Sequence, residues 1–166
     1  MKINTNGYGR HLIVDLTVKP ESKSLLSDRE YCAKFIDKVT EVCGMQAVIP
    51  TIAMQFPFST EHCGLVKKLQ AEGTTSPVIE EHTKYVEAKE KNDTGVSAFS
   101  IWNTSHSTLH SWTECNYISI DLYSCLVFDR DKVLDFIQEY FDVAEMRVVD
   151  VMRHNKEPQK VETFTL

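Results

Sequence analysis

Hydrophobic and polar positions along the 166 residues alternate between two periods. Residues 9–18, GRHLIVDLTV, form a run rich in Ile, Val and Leu that predicts a first strand. A polar connection through Pro20 follows. Ser27 and Glu30 then have the Ser-x-x-Glu spacing of a capping box, which predicts a helix start. Tyr31, Cys32, Phe35, Ile36, Val39, Val42 and Cys43 recur at helical spacing and give that helix one apolar face, with Gly44 as its stop. Residues 45–56 contain a second strand, and Pro50 implies an edge, a bend or a bulge. Residues 96–102 and 116–125 read as further strands. In the second of these, Ile118, Ile120 and Leu122 alternate with Ser119, Asp121, Tyr123 and Cys125, so one face is apolar and the other carries polar chemistry. Asp129 is placed to cap a helix running to Phe141, with Val133, Leu134, Ile137, Tyr140 and Phe141 inward. Residues 144–152 read as the last strand, followed by a polar, loose tail.

Residues 57–94 break this rhythm. Pro57, Gly64, Gly73 and Pro77 punctuate them, and two short helices are expected, over 61–71 and 77–91. Ser76 and Pro77 supply a cap and a first helical position for the second. Its apolar stripe is thin (Val78, Tyr85, Val86), which favours a solvated insertion over a lid. The whole reads as one α+β domain over residues 1–166 with an insertion at 57–94. Its expected architecture is a two-layer sandwich, a mostly antiparallel sheet with helices on one face.

Composition narrows the function classes. Net charge is −6 with no basic block, which argues against nucleic acid as partner. No apolar run approaches the ~20 residues that cross a bilayer, and the first residues lack a signal-peptide core. A cytoplasmic protein is expected, and its five cysteines, an odd number, are expected as free thiols.

Reactive side chains concentrate in residues 96–125, VSAFSIWNTSHSTLHSWTECNYISIDLYSC. Within thirty residues stand a serine, two histidines, carboxylates and a terminal thiol, set among β-formers. The order Ser105-His106, His110, Trp112, Glu114, then Asp121 and Cys125, resembles the short prokaryotic S-adenosylmethionine decarboxylases, a family of pyruvoyl-dependent proenzymes. In that family a histidine lies five residues and a cysteine twenty residues after the key serine, and both intervals hold here. Gly9-Arg10-His11-Leu12 is similar as well, whereas the middle segment has no clear counterpart. The family has glutamate before the serine; this chain has Thr104.

The resemblance implies self-cleavage between Thr104 and Ser105. The serine hydroxyl attacks the preceding carbonyl, and elimination from the resulting ester leaves a pyruvoyl group on the new terminus. Side chains offer no good electrophile, whereas a ketone conjugated to an amide condenses with an amine and accepts electrons as carbon dioxide leaves. By the same resemblance His110 transfers a proton during cleavage, Ser97 assists it, and Cys125 protonates the decarboxylated carbon. Glu114 binds the ribose hydroxyls. Phe56, slightly preferred over Phe58, stacks on adenine. The substrate implied is S-adenosylmethionine, the product an aminopropyl donor for spermidine and other polyamines, and the assembly a homodimer with sites built across it. Read without the resemblance, His110 is a hydrogen-bonded strand histidine, Ser97 a strand serine, Cys125 a buried apolar cysteine, Glu114 a surface carboxylate and Phe56 a core ring.

Two other readings stand beside this one. The same fold could decarboxylate another cationic amino acid such as arginine or ornithine, or an uncleaved chain could bind S-adenosylmethionine without decarboxylating it. No metal is expected. His62-Cys63 with His82, or His106, His110 and Cys115, lack the paired spacing of zinc motifs. Gly-rich phosphate loops and G-x-S-x-G elbows are missing too.

Overall fold

The computed structural model describes residues 9–56, 94–153 and 159–166. Seven strands form one sheet in the order β2-β3-β4-β5-β1-β6-β7, every neighbouring pair antiparallel. They are β1 Gly9–Val18, β2 Ile52–Phe56, β3 Gly95–Trp102, β4 Ser105–Trp112, β5 Tyr117–Ser124, β6 Val143–Arg153 and β7 Lys160–Thr165. Helices α1 (Arg29–Val42) and α2 (Arg130–Phe141) cover one face. The α+β sandwich expected from the sequence is the one observed.

Strand alternation decides what the helices cover. Leu12, Val14 and Leu16 of β1, Ile118, Ile120 and Leu122 of β5, and Met146 and Val148 of β6 are buried beneath them. Cys32, Phe35, Ile36 and Val39 of α1 meet Val133, Leu134, Ile137 and Phe141 of α2 in the same core. Phe35 is fully buried, its ring 4.6 Å from Phe141 and stacked at 5.8 Å on Phe136. The two helices are also tied by a reciprocal pair: the Tyr31 hydroxyl donates to the Tyr140 carbonyl and the Tyr140 hydroxyl to the Tyr31 carbonyl. Beneath the α2 N-terminus, Arg10 and Arg130 converge on buried Asp150 at 3.2 and 3.3 Å, and Arg130 reaches on to Glu162 of β7 at 2.9 Å. Asp150 is 4 % exposed, so its charge is tolerable only with such partners.

Three expectations change. Helix α1 is capped by Asp28, whose carboxylate accepts from the Glu30 and Tyr31 amides at 2.9 and 3.0 Å. Ser27 closes the preceding 3-10 helix, Pro20–Ser27, by donating to the Ser24 carbonyl, so it is not the capping-box residue. The SHSTLHSW run, not assigned to a strand from the sequence, is β4. Serines 105, 107 and 111 occupy its covered face and hide the usual apolar alternation. The tail read as loose supplies β7: Val161, Thr163 and Phe164 are β-formers, and Phe164 lies beneath the Arg130 guanidinium at 5.3 Å. The helices expected over 61–71 and 77–91, with His62, Cys63 and His82, lie outside the described residues. Strand β2 does stand at an edge, as Pro50 implied.

Burial of the helix–helix seam has a consequence at high pH. Removal from water raises the Tyr31 phenol and the Cys32 and Cys43 thiols to about 12, and raises Tyr140 also. Above the ordinary phenol range the unfolded chain sheds protons that the folded chain keeps. Stability is therefore whole below about pH 9 and falls as pH rises toward 12. Urea unfolding at pH 8 and pH 11 should show a lower midpoint at pH 11, and Tyr31→Phe should lessen the drop. Equal midpoints at both pH values would contradict this account.

Candidate active site

Strands β3 and β4 are joined by a two-residue turn, Asn103–Thr104, because Trp102 pairs with Ser105. Trp102 anchors this end of the hairpin. It is buried, its indole N–H donates to the Thr40 hydroxyl at 3.0 Å, and Thr40 donates in turn to the Ile36 carbonyl. Ser105, the first residue of β4, turns its side chain to the covered face and is 8 % exposed. Its hydroxyl donates to Ser124 at 3.3 Å, and Ser124 also accepts from the Leu126 amide. Cys125 follows directly on β5, and its sulfur contacts the Thr104 hydroxyl. Thr104, Ser105 and Cys125 are thus brought together at one end of the hairpin, although twenty residues separate serine from cysteine.

Ser97, His110, Glu114 and Phe56 lie elsewhere. Ser97 and His110 are directly opposed on β3 and β4, with Ser97 Oγ 2.9 Å from His110 Nδ1. They stand on the face that α1 and α2 leave open, where the His110 ring is 6.1 Å from Trp112 and Trp112 is 5.4 Å from Tyr117. Tyr117 donates to Asp15, and burial together with that bond raises its phenol to about 12. Phe56 ends β2 opposite Gly95. A Cβ on Gly95 would lie 2.6 Å from the Phe56 ring and 2.0 Å from the Ser111 carbonyl, so only glycine admits this approach. Glu114 sits in the 3-10 turn Thr113–Cys115 past the far end of β4, exposed, with Lys23 Nζ 3.8 Å away.

Ser105 and His110 therefore do not meet within one chain. Five residues along a strand span roughly 16 Å, and an odd separation points the two side chains to opposite faces. The site residues form two clusters, one at each end of β4: Thr104, Ser105 and Cys125, then Ser97, His110, Trp112 and Glu114.

The structure adds a third group whose geometry the sequence did not reveal. Asp121 accepts from His11 at 2.8 Å and from His106 at 3.1 Å, so one carboxylate bridges imidazoles of β1 and β4 across β5. Arg153 lies 4.9 Å above the adjoining Tyr123 ring. Each residue is visible in the sequence, but their meeting depends on β1 inserting between β5 and β6, which local patterning does not state. No group of three or more His, Cys, Asp or Glu placed to hold a metal ion occurs among the described residues.

Fold and site together define a sheet protein with a serine hydroxyl at a hairpin turn and a thiol beside it. A sequence model of the S-adenosylmethionine decarboxylase family matches residues 65–154, more than half of the chain. Curated relatives include the S-adenosylmethionine decarboxylase proenzymes of Pyrococcus horikoshii, 33 % identical over 73 residues, and of Thermococcus kodakarensis, 36 % identical over 73 residues. Each match covers 43 % of this chain, and 52 % and 50 % of those relatives, so the chain spans about half the length of the curated relatives it matches. The crystal structure of the adenosylmethionine decarboxylase from Aquifex aeolicus shares the fold, with a TM-score of 0.55 over 94 % of this chain and 100 % of that one, at 13 % identity. The chain belongs to the S-adenosylmethionine decarboxylase family.

The His11–Asp121–His106 bridge should stabilise the β1–β5–β4 seam. Charge-assisted hydrogen bonds contribute ~1.5–3 kcal/mol when dry, and partial exposure of Asp121 reduces this to roughly 1 kcal/mol. Asp121→Ala should lower the free energy of unfolding at pH 7 by about that amount, and with it the urea midpoint, with the secondary structure retained. An unchanged midpoint would show that the bridge contributes nothing to folding.

Proposed function

We propose that this chain is the proenzyme of a pyruvoyl-dependent S-adenosylmethionine decarboxylase, cleaving itself between Thr104 and Ser105 and making the aminopropyl donor for polyamine synthesis. The observation that carries this reading is the convergence of Thr104, Ser105 and Cys125 at one hairpin end, in a chain whose family relatives are named proenzymes.

Ser105 suits the origin of the pyruvoyl group. Its hydroxyl begins a strand, immediately after the carbonyl it must attack, with a hydroxyl partner at Ser124 and a thiol next to the turn. Attack by Ser105 Oγ on the Thr104 carbonyl carbon forms an ester. Removal of the Ser105 α-proton then expels Thr104 as a carboxylate, and hydrolysis of the dehydroalanine releases ammonia and leaves the ketone. When present, that ketone supplies the electron sink for loss of carbon dioxide. Cys125 holds a proton on sulfur for the decarboxylated carbon. Glu114, exposed at the far end of β4, offers two acceptor oxygens to the ribose hydroxyls. Phe56 and the Trp112 ring are the aromatic faces on which an adenine stacks or a sulfonium gains cation–π attraction.

The separation of the two clusters supports a homodimer in which the Thr104–Ser105 turn and Cys125 of one protomer face Ser97, His110 and Glu114 of the other. Exposed Ile52, Met54 and Ile101 on the open sheet face give such an assembly an apolar surface to bury. A cytoplasmic location fits the reading. No helix among the described residues is long and apolar enough to cross a membrane.

Intact-mass analysis of the purified protein tests the proposal. Fragments of 104 and 62 residues are expected, the shorter blocked to Edman degradation, and Ser105→Ala should stay whole. A wild-type chain that remains whole after long incubation would remove the pyruvoyl mechanism and favour an uncleaved S-adenosylmethionine-binding protein.

A further inference from the structure

The residue before the serine is where this chain departs from its family, and the structure gives that residue a contact. Thr104 Oγ1 and Cys125 Sγ are in contact, as a hydroxyl–thiol pair. Thr104 is exposed in the turn, while Cys125 is only partly exposed just past the end of β5, so one side chain of the hairpin turn rests on the thiol. Both are held from behind by rigid structure. Trp102 is fixed to α1 through Thr40, and Ser124 is fixed through its contacts with Ser105 and the Leu126 amide.

We propose that Thr104 is a positioning residue for the Cys125 thiol: its hydroxyl donates to the sulfur, fixes the direction of the thiol and stabilises the thiolate that remains once the proton has been given up. A hydroxyl held against the sulfur restrains the side-chain rotamer and leaves a donor in place for the sulfur after proton transfer. Glutamate would bring a like charge to the same place and work against the thiolate, so threonine changes the local chemistry and does more than fill the turn. Cleavage gives Thr104 a terminal carboxylate of its own, and the tether to β3 limits how far it can move from the thiol. Thr104 then ends the longer fragment, two residues beyond the last residue of β3. The catalytic part of this inference rests on the decarboxylase reading; the contact itself does not.

The first test uses the uncleaved Ser105→Ala chain, where failure of self-processing has no influence. The rate of iodoacetamide alkylation at Cys125, read by peptide mass so that Cys115 is counted separately, is compared for Thr104, Thr104→Val and Thr104→Ser. Valine keeps the shape and removes the donor. The rate should fall about fivefold, the factor that corresponds to a hydrogen bond worth ~1 kcal/mol, and serine should restore it. Equal rates in all three chains, or equal losses with valine and serine, would overturn the proposal.

The second test uses the cleaved protein and asks where the proton goes. Delivery to the substrate carbon regenerates the blocked terminus. Delivery to the carbon derived from Ser105 keeps the amine nitrogen on the 62-residue fragment as an alanyl terminus, and water releases the substrate carbon as an aldehyde. Per turnover, Thr104→Val should give more fragment open to Edman degradation than wild type or Thr104→Ser. A partition that is the same in all three overturns the catalytic part. A wild-type chain that never cleaves is a failure of the decarboxylase reading, and it leaves the alkylation result standing on its own.

Discussion

The parity of β4 is the constraint on which the remaining arrangement depends. A strand in a sheet covered on one side must send alternate residues under the helices, and β4 sends Ser105, Ser107, Leu109 and Ser111 there. Its even-numbered residues, His106, Thr108, His110 and Trp112, are left for the open face. The register with β3 and β5 allows no slip, because moving β4 by one residue would bury His110 and expose Leu109. With the register fixed, Ser105 and His110 are parted by both distance and face. The two-residue turn then fixes where the peptide bond of Thr104 and Ser105 stands, and the end of β5 brings Cys125 to it.

That separation gives the open face its meaning. It carries Ser97 paired to His110, the Asp121 bridge, and a ladder of Trp112 and Tyr117, with apolar Ile52, Met54 and Ile101 among them. Such a mixture suits a surface that meets a second copy and supplies chemistry at the same time. Within one chain Ser105 and Cys125 stand at one end of β4, and His110 and Glu114 stand toward the other; under the proposed reading these are the two halves of one site.

Much of this was legible in the sequence where one local rule decides the outcome. The periodicity from Tyr31 to Cys43 gives α1 and its buried face, and the alternation from Ile118 to Leu122 gives β5. Asp129 caps α2 as its residue type implies, accepting from the Lys132 amide. The intervals from Ser105 to His110 and Cys125 carry the resemblance to the family whose model matches residues 65–154. Local rules failed where two candidates compete or where polarity conceals burial. Asp28 displaced Ser27 as cap, and buried serines masked β4 as a strand. Residues 160–165 gain their strand from pairing with β6 and from Arg130, contacts that the polar pattern of the tail does not announce. Spacing also says nothing of faces. An interval of five in a strand means opposite sides, which becomes visible only once β4 is known to be a strand.

The composite site is the central claim, and complementation tests it most directly. Chains carrying Ser105→Ala and His110→Ala, with different affinity tags, are expressed separately and together, and the doubly tagged dimers are assayed for cleavage by intact mass. Each chain alone should stay whole. In the mixed dimer the His110→Ala chain, served by the histidine of its partner, should split into pieces of 104 and 62 residues, tag aside, while the Ser105→Ala chain remains intact. A His110→Ala chain that stays whole in the mixed dimer, or that cleaves freely without its partner, would contradict a site shared between two protomers.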